Sequence, residues 1–448
     1  MVHAASRTMD MTQGSIWKIL FRFSVPLLLG NLFQQLYSTV DSLVVGNFVG
    51  ADALGAVTSM MPCINTLIGF FMGISTGASV IISQYFGARD PVMLRRAVHT
   101  SLVGTFLLSL VFMFVGFFGA PYMVRFMQTA PSIYPLAVIY LQILFGGVTS
   151  TMMYNMGSAI LRAVGDSRRP LYFLIFTSLL NVILDLLFVV TFHMSVAGAA
   201  WATVISQFIS AFLIFYVLWR SRDIYSVSFK EMHLDFPVLR KIIGIGMPAG
   251  LQMAVTSFSN VFVQAYINYF GAASTTGWGV YFRVDAFILM PMMTIALAVT
   301  TFAGQNAGAR NAARIREGLH VAMRMAEIGT LMLAIPALIF APRIIRWFNT
   351  DPDVVAYGTL FIRTNCWFAV FACLNQVYAG TLRGIGDARA PMYIMLFSFV
   401  VFRQIYLFIL SHVYNVVQLV SFGYPLGWMM CSLLEYLYFR MSHWEARL

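Results

Sequence analysis

Charge is what this chain has least of. Only 10% of its 448 residues are Asp, Glu, Lys or Arg, while 60% are hydrophobic; soluble domains run at roughly 25% and 45–50%. No long polar stretch interrupts the apolar runs, so no soluble domain is left over. Histidine and cysteine are scarce too, at seven and four. Cys63, Cys366, Cys373 and Cys431 all fall inside apolar segments without metal-like pairing, which excludes a disulfide framework and leaves small buried hydrophobes. There is no phosphate-cradling Gly-Lys-Ser/Thr loop, so direct ATP use has no support. A membrane-embedded enzyme, the remote alternative, would need a nucleophile, a metal cluster or an acid–base pair near an interface, and the chain offers no His-rich metal spacing.

What the chain does have is long apolar runs, and it has them twice. A spanning helix needs about 20 mostly apolar residues. Six such runs lie near 16–42, 54–83, 97–120, 133–156, 171–192 and 196–219, and six more near 242–270, 278–303, 319–341, 354–380, 392–414 and 420–439. Leu161-Arg162-Ala163-Val164-Gly165-Asp166 returns as Leu382-Arg383-Gly384-Ile385-Gly386-Asp387, an offset of 221 (382 − 161). At that offset Gly87-Ala88-Arg89 meets Gly308-Ala309-Arg310, His99 meets His320 and Pro131 meets Pro352. The fold expected is an all-α integral membrane protein, about twelve helices in two six-helix bundles related by a direct (parallel) repeat. The domain reading is a tail at 1–15, an N-lobe at 16–220, a linker at 221–241, a C-lobe at 242–440 and a tail at 441–448. The polar start runs into a span too long for a signal-peptide core and reads as an uncleaved first helix.

The few cations orient the chain. Of 28 Lys and Arg, 22 fall on loops that would share one side, so the positive-inside rule places both termini and the linker in the cytoplasm. The net charge of +11 is therefore topology; its cations are scattered over seven segments, which argues against a nucleic-acid surface.

Acids inside the membrane are functional candidates by default. Asp41 lies in the first span and Asp185 in the fifth, with Asn181 four residues earlier on the same helix face; the sixth span offers Thr203. Two carboxyls, an amide and a hydroxyl make an oxygen-rich set. It can hold a proton, because two adjacent carboxylates cannot both ionise cheaply. It can equally hold sodium, a hard cation that prefers oxygen ligands. The bland reading is a hydrogen-bond network that fixes packing. Arg283 and Asp285 do not share a helix face and read as structural or, alternatively, coupling residues. Glu435 lies near a helix end, where pairing with Arg440 suffices. Arg403 is a lone mid-span cation that needs an acidic or carbonyl partner. The Leu-Arg-x-x-Gly-Asp loops read as helix ends in a glycine turn, with their arginines at the cytoplasmic surface.

Taken together, Pro26, Asn31, Gln34, Tyr37, Val40-Asp41, Gly46 and Gly50, then Gln84, Gly87-Ala88-Arg89, Leu161-Arg162 and Gly165-Asp166, then Arg283, Asp285-Ala286-Phe287, Met290-Pro291 and Gln305-Asn306, resemble the multidrug and toxic compound extrusion (MATE) transporters. The resemblance spans nearly the whole chain. It implies a prokaryotic cation-coupled antiporter that exports organic, often cationic, drugs by alternating access, not an enzyme and without a cofactor beyond its coupling ion, H+ or Na+. It further implies a monomer in the inner (plasma) membrane, with small molecules and lipid as partners. The N-lobe set Asp41, Asn181, Asp185 and Thr203 matches in order the cation site of the DNA-damage-inducible F-like branch, and Gln34, Tyr37 and Asn181 would line the substrate cavity. The seventh and tenth spans lack the acids that other branches carry there. A flippase for a lipid-linked precursor, a distant relative, would be expected to show a more cationic seam.

Overall fold

The computed structural model describes residues 8–221 and 223–448, and it is helical from end to end. Arg7 and Arg222, both counted in the charge bias, lie outside the described residues, as does the side chain of Cys63. Among the described residues, ten helices are long and apolar enough to cross a membrane: Ile16–Gly46, Gly55–Gly87, Pro91–Phe126, Arg168–Thr191, Ser195–Arg220, Phe236–Asn268, Ala312–Ile339, Pro352–Gly384, Arg389–Val413 and Val417–Met441. Two bent pairs, Tyr134–Gly146 with Val148–Ala163 and Ala272–Ile288 with Met290–Gly308, complete twelve crossings, six in each half of the sequence. They are numbered here first to twelfth in chain order.

The two bends have local causes. The fourth span turns by 47° at Gly147, and the eighth by 43° at Leu289, where Pro291 opens the following helix without needing a backbone donor. The fifth span loosens into a π-helical turn at Leu186–Thr191, directly after Asp185. The eleventh does the same at Phe397–Phe402, directly before Arg403. π-Turns interrupt the regular backbone ladder and often accompany functional side chains.

The described chain falls into two compact units, one of residues up to Asp10 with Val25–Gly246, the other of Met11–Ser24 with Met247–Leu448. The changeovers come one residue before Pro26 and Pro248, the prolines inside the first and seventh helices. In the first unit, Val44, Val45, Val57, Tyr140, Val189 and Ala200 form a core. The second is built around aromatic rings: Trp278 stands 5.0 Å from Tyr281, 4.8 Å from Phe361 and 5.5 Å from Tyr424.

The repeat extends to backbone detail. Arg89 and Arg310 both adopt a left-handed φ of 54°, and each is followed by a side-chain cap, Asp90 on Met93 N–H and Asn311 on Arg314 N–H. Gly165 (φ 86°) and Gly386 (φ 99°) close their helices in the region that favours glycine. Asp166 then accepts from the N–H groups of Arg168 and Arg169 (3.1 Å each) and pairs with Arg169 at 3.2 Å. Asp387 plays the same capping part for Ala390. The motif's aspartates are thus caps for the next helix, a role its letters did not disclose. Its first arginine also differs from expectation. Arg162 and Arg383 are half-buried, not surface groups, and Arg383 donates inward to Gln252 Oε1 at 3.3 Å.

Candidate functional site

Gln34, Tyr37 and Asp41 lie three and four residues apart on one continuous helix, so they share a face. Exposure falls along it: Gln34 is exposed, Tyr37 half-buried and Asp41 buried. The fifth span contributes Asn181 and Asp185, also on one face, and Asp185 is completely inaccessible. The carboxyls of Asp41 and Asp185 meet at hydrogen-bonding range. Tyr37, and Tyr140 from the fourth span, stand within electrostatic range of both.

The hydrogen-bond accounting is unusual. Among the described residues, no donor reaches Asp41 Oδ1, either oxygen of Asp185 or Asn181 Oδ1, and the Asn181 Nδ2 amide group finds no acceptor. Buried polar groups are nearly always paired, and an unpaired buried charge is costly. Two ionised carboxylates cannot bond to each other, because neither has a hydrogen to donate. One proton between them supplies the missing donor; a small cation would satisfy the oxygens by coordination. Thr203 is half-buried on the sixth span and hydrogen-bonds to neither carboxyl. The structure therefore brings Asp41, Asn181 and Asp185 into one buried polar set.

In the second unit Arg283 is exposed and Asp285 buried, with the Tyr281 hydroxyl beside it. Arg403 is buried and meets no acid among the described residues, but it does meet a carbonyl, that of the Asn260 side-chain amide. Its Nη2 donates to Ser259 Oγ (2.7 Å) and Asn260 Oδ1 (2.9 Å), and the guanidinium lies over Tyr424 (4.7 Å) and Phe399 (5.5 Å). Of the acidic or carbonyl partner that the sequence called for, the structure supplies the carbonyl of Asn260, and the ring faces add to it. Tyr424 stands within electrostatic range of both Arg403 and Asp285. Glu435 is fully buried and interacts with Arg383 instead of Arg440. Periodicity alone could not tell that its face turns inward.

Among the described residues, no group of three or more His, Cys, Asp or Glu could hold a metal ion. Gly73-Ile74-Ser75-Thr76-Gly77 has the letters of a hydrolase nucleophile motif, but it lies inside the continuous second helix. That motif requires a strained strand-to-helix turn, so the serine has no nucleophile geometry.

The MatE family model matches the chain twice, over residues 26–187 and 248–409. The chain is 33% identical over 439 residues to the "Probable multidrug resistance protein YpnP" of Bacillus subtilis (strain 168), covering 98% of both chains. It is 21% identical to the multidrug export protein MepA of Staphylococcus aureus (strain MSSA476), over 84% of this chain and 83% of that one. Two solved structures, a MATE transporter in complex with MaL6 and a multidrug resistance MATE family transporter in an outward-facing conformation, superpose with a TM-score of 0.91 at 24% identity. They cover 97% and 98% of both chains respectively. That likeness shows the twelve-helix, two-bundle fold. The doubled match, which begins at the two helix-interior prolines, together with the full-length relative, shows that this chain is a membrane protein of the MatE family of multidrug transporters.

Proposed function

We propose that the protein exports small organic, mainly cationic or amphipathic, compounds in exchange for a cation held between Asp41 and Asp185. The observation that carries this reading is the buried pair of Asp41 and Asp185, three of whose four carboxyl oxygens find no donor among the described residues. Two buried carboxyls side by side are chemically suited to take up and release a proton or a small cation. Asn181 adds an amide to the same set, Gln34 and Tyr37 extend the face toward exposed surface, and Thr203 stands on the adjacent span. This donor set favours the F-like branch within the family. Cation binding favours one arrangement of the first and fifth helices, substrate binding another, and alternating access follows from that linkage. The chain then acts as a monomer in the plasma membrane with both termini cytoplasmic, its lobes near 16–220 and 242–440.

The test is efflux from proteoliposomes with separately imposed proton and sodium gradients. At least one of the two gradients should drive export of an organic cation against its own gradient in wild type and fail to in Asp41→Asn. Gradient-independent export, or transbilayer movement of a lipid-linked precursor in place of drugs, would refute the proposal.

A further inference from the structure

The repeat is not filled equally in its two halves. In the first unit, Arg95 and His99 on the third span face the segment that follows the sixth. His99 donates Nδ1–H to the Arg95 carbonyl (2.8 Å) and accepts Ser228 N–H at Nε2 (3.1 Å). Arg95 pairs with Glu231 at 3.5 Å, and Tyr225 and Val227 are buried there. At the offset of 221, Arg316 and His320 on the ninth span occupy the same places in the second unit. His320 Nδ1 donates to the Arg316 carbonyl (2.7 Å), and Arg316 pairs with Glu445. Here the chain after the twelfth span turns back at His443 (φ 45°) and buries Trp444 against Phe439, with rings 5.1 Å apart. An open cavity of about 610 Å³ remains, lined by Arg316, His320, Tyr436, Arg440, His443 and Glu445 among others.

The chemistry of this cavity selects its occupant. The Arg440 guanidinium is held over the Tyr436 ring at 5.3 Å and has no carboxylate among its contacts in the described residues, so it is available to an anion. Because His320 Nδ1 donates to a carbonyl, Nε2 of the neutral ring is an acceptor and suits a hydroxyl. An apolar stripe leads to the cavity along the twelfth helix: Leu433, Leu437 and Met441, four residues apart, are 54%, 41% and 72% exposed. A cation, a hydroxyl acceptor and an adjoining greasy stripe together describe an anionic phospholipid lying against a helix end.

We infer that this cavity is a binding site for an anionic phospholipid whose phosphodiester headgroup carries a hydroxyl, with the phosphate on Arg440, the hydroxyl on His320 and the acyl chains along Leu433, Leu437 and Met441. Glu445 is an internal competitor that holds Arg316 away from the phosphate.

The full chain, delipidated in detergent, is titrated with phosphatidylglycerol, phosphatidylcholine and soluble glycerol phosphate, with bound lipid read by native mass spectrometry and by thermal shift. Phosphatidylglycerol should be retained over phosphatidylcholine, and glycerol phosphate should bind far more weakly because it cannot use the stripe. Arg440→Gln should weaken phosphatidylglycerol about fivefold, the effect of one cation at an anionic surface, and Glu445→Gln should strengthen it. His320→Phe should abolish the preference over a headgroup whose hydroxyl is methylated. Arg389→Gln, an exposed cation outside the cavity, should change nothing. Equal retention of the two lipids would overturn the site. So would indifference to both Arg440→Gln and Glu445→Gln in protein that elutes as a single folded species. Glycerol phosphate binding as tightly as the lipid would overturn the acyl-chain component.

Discussion

Asp41→Asn keeps the size of the side chain but removes its ability to share a proton or charge with Asp185. The variant should insert and fold while cation-driven efflux collapses, and the cation's roughly 5–150-fold effect on apparent substrate affinity, the usual span of a coupling free energy of about 1–3 kcal/mol, should be lost. Asp185→Asn should do the same, and the double variant should be little worse, because residues acting as one site are not additive. Initial rates of gradient-driven export from proteoliposomes check both; fully multiplicative losses would mean two separate roles. Asp285→Asn should leave the cation dependence of transport unchanged, since Asp285 stands among Tyr281, Tyr424 and the Arg403 cluster and not beside a second acid. At this scale the sequence was most legible where helix spacing decides. Asn181 with Asp185, and Gln34 with Tyr37 and Asp41, follow from three- and four-residue intervals. The meeting of Asp41 with Asp185, and Arg403 resting on ring faces, depend on which helices become neighbours, and no spacing along one helix encodes that.

Helix length was the least legible property of the elements. The apolar run at 97–120 sits inside a helix from Pro91 to Phe126; those 36 residues span about 54 Å at 1.5 Å each, well beyond a hydrocarbon core of about 30 Å. Hydropathy registers only the part in lipid. Close helix crossings were equally hidden. A Cβ added at Gly77 would lie 2.5 Å from the Ile242 carbonyl and the Gly246 nitrogen, all within the first unit, and both are backbone atoms that cannot yield. Gly77→Ala should therefore cost about 1–3 kcal/mol through overpacking, measured as a lower melting temperature in detergent. Gly279→Ala, where the added carbon meets nothing, should melt like wild type. Asp166→Ala removes a cap and a pairing partner for Arg169. It should cost about 0.5–2 kcal/mol, again read as melting temperature.

For the whole molecule, duplication supplies two similar bundles and function requires them to differ. The second half keeps the loops, caps and glycine turns of the first but has no counterpart to its carboxyl pair: the positions 221 residues on from Asp41 and Asp185 are Phe262 and Tyr406. On the proposed reading, ion coupling is concentrated in one unit, and the donor set there determines which ion it suits. A proton needs only two oxygens within bonding range, and Asp41 and Asp185 supply them. Sodium needs a fuller shell of oxygens; the described set offers two carboxyls and the Asn181 amide oxygen, while Thr203 bonds to neither carboxyl. The expectation is that an inward proton gradient alone drives substrate out of proteoliposomes in sodium-free buffer, with membrane potential clamped at zero. Substrate flux driven by a sodium gradient alone, with pH clamped on both sides, would reverse that assignment. It would also require water or backbone carbonyls near the π-turn at Leu186–Thr191 to complete the shell.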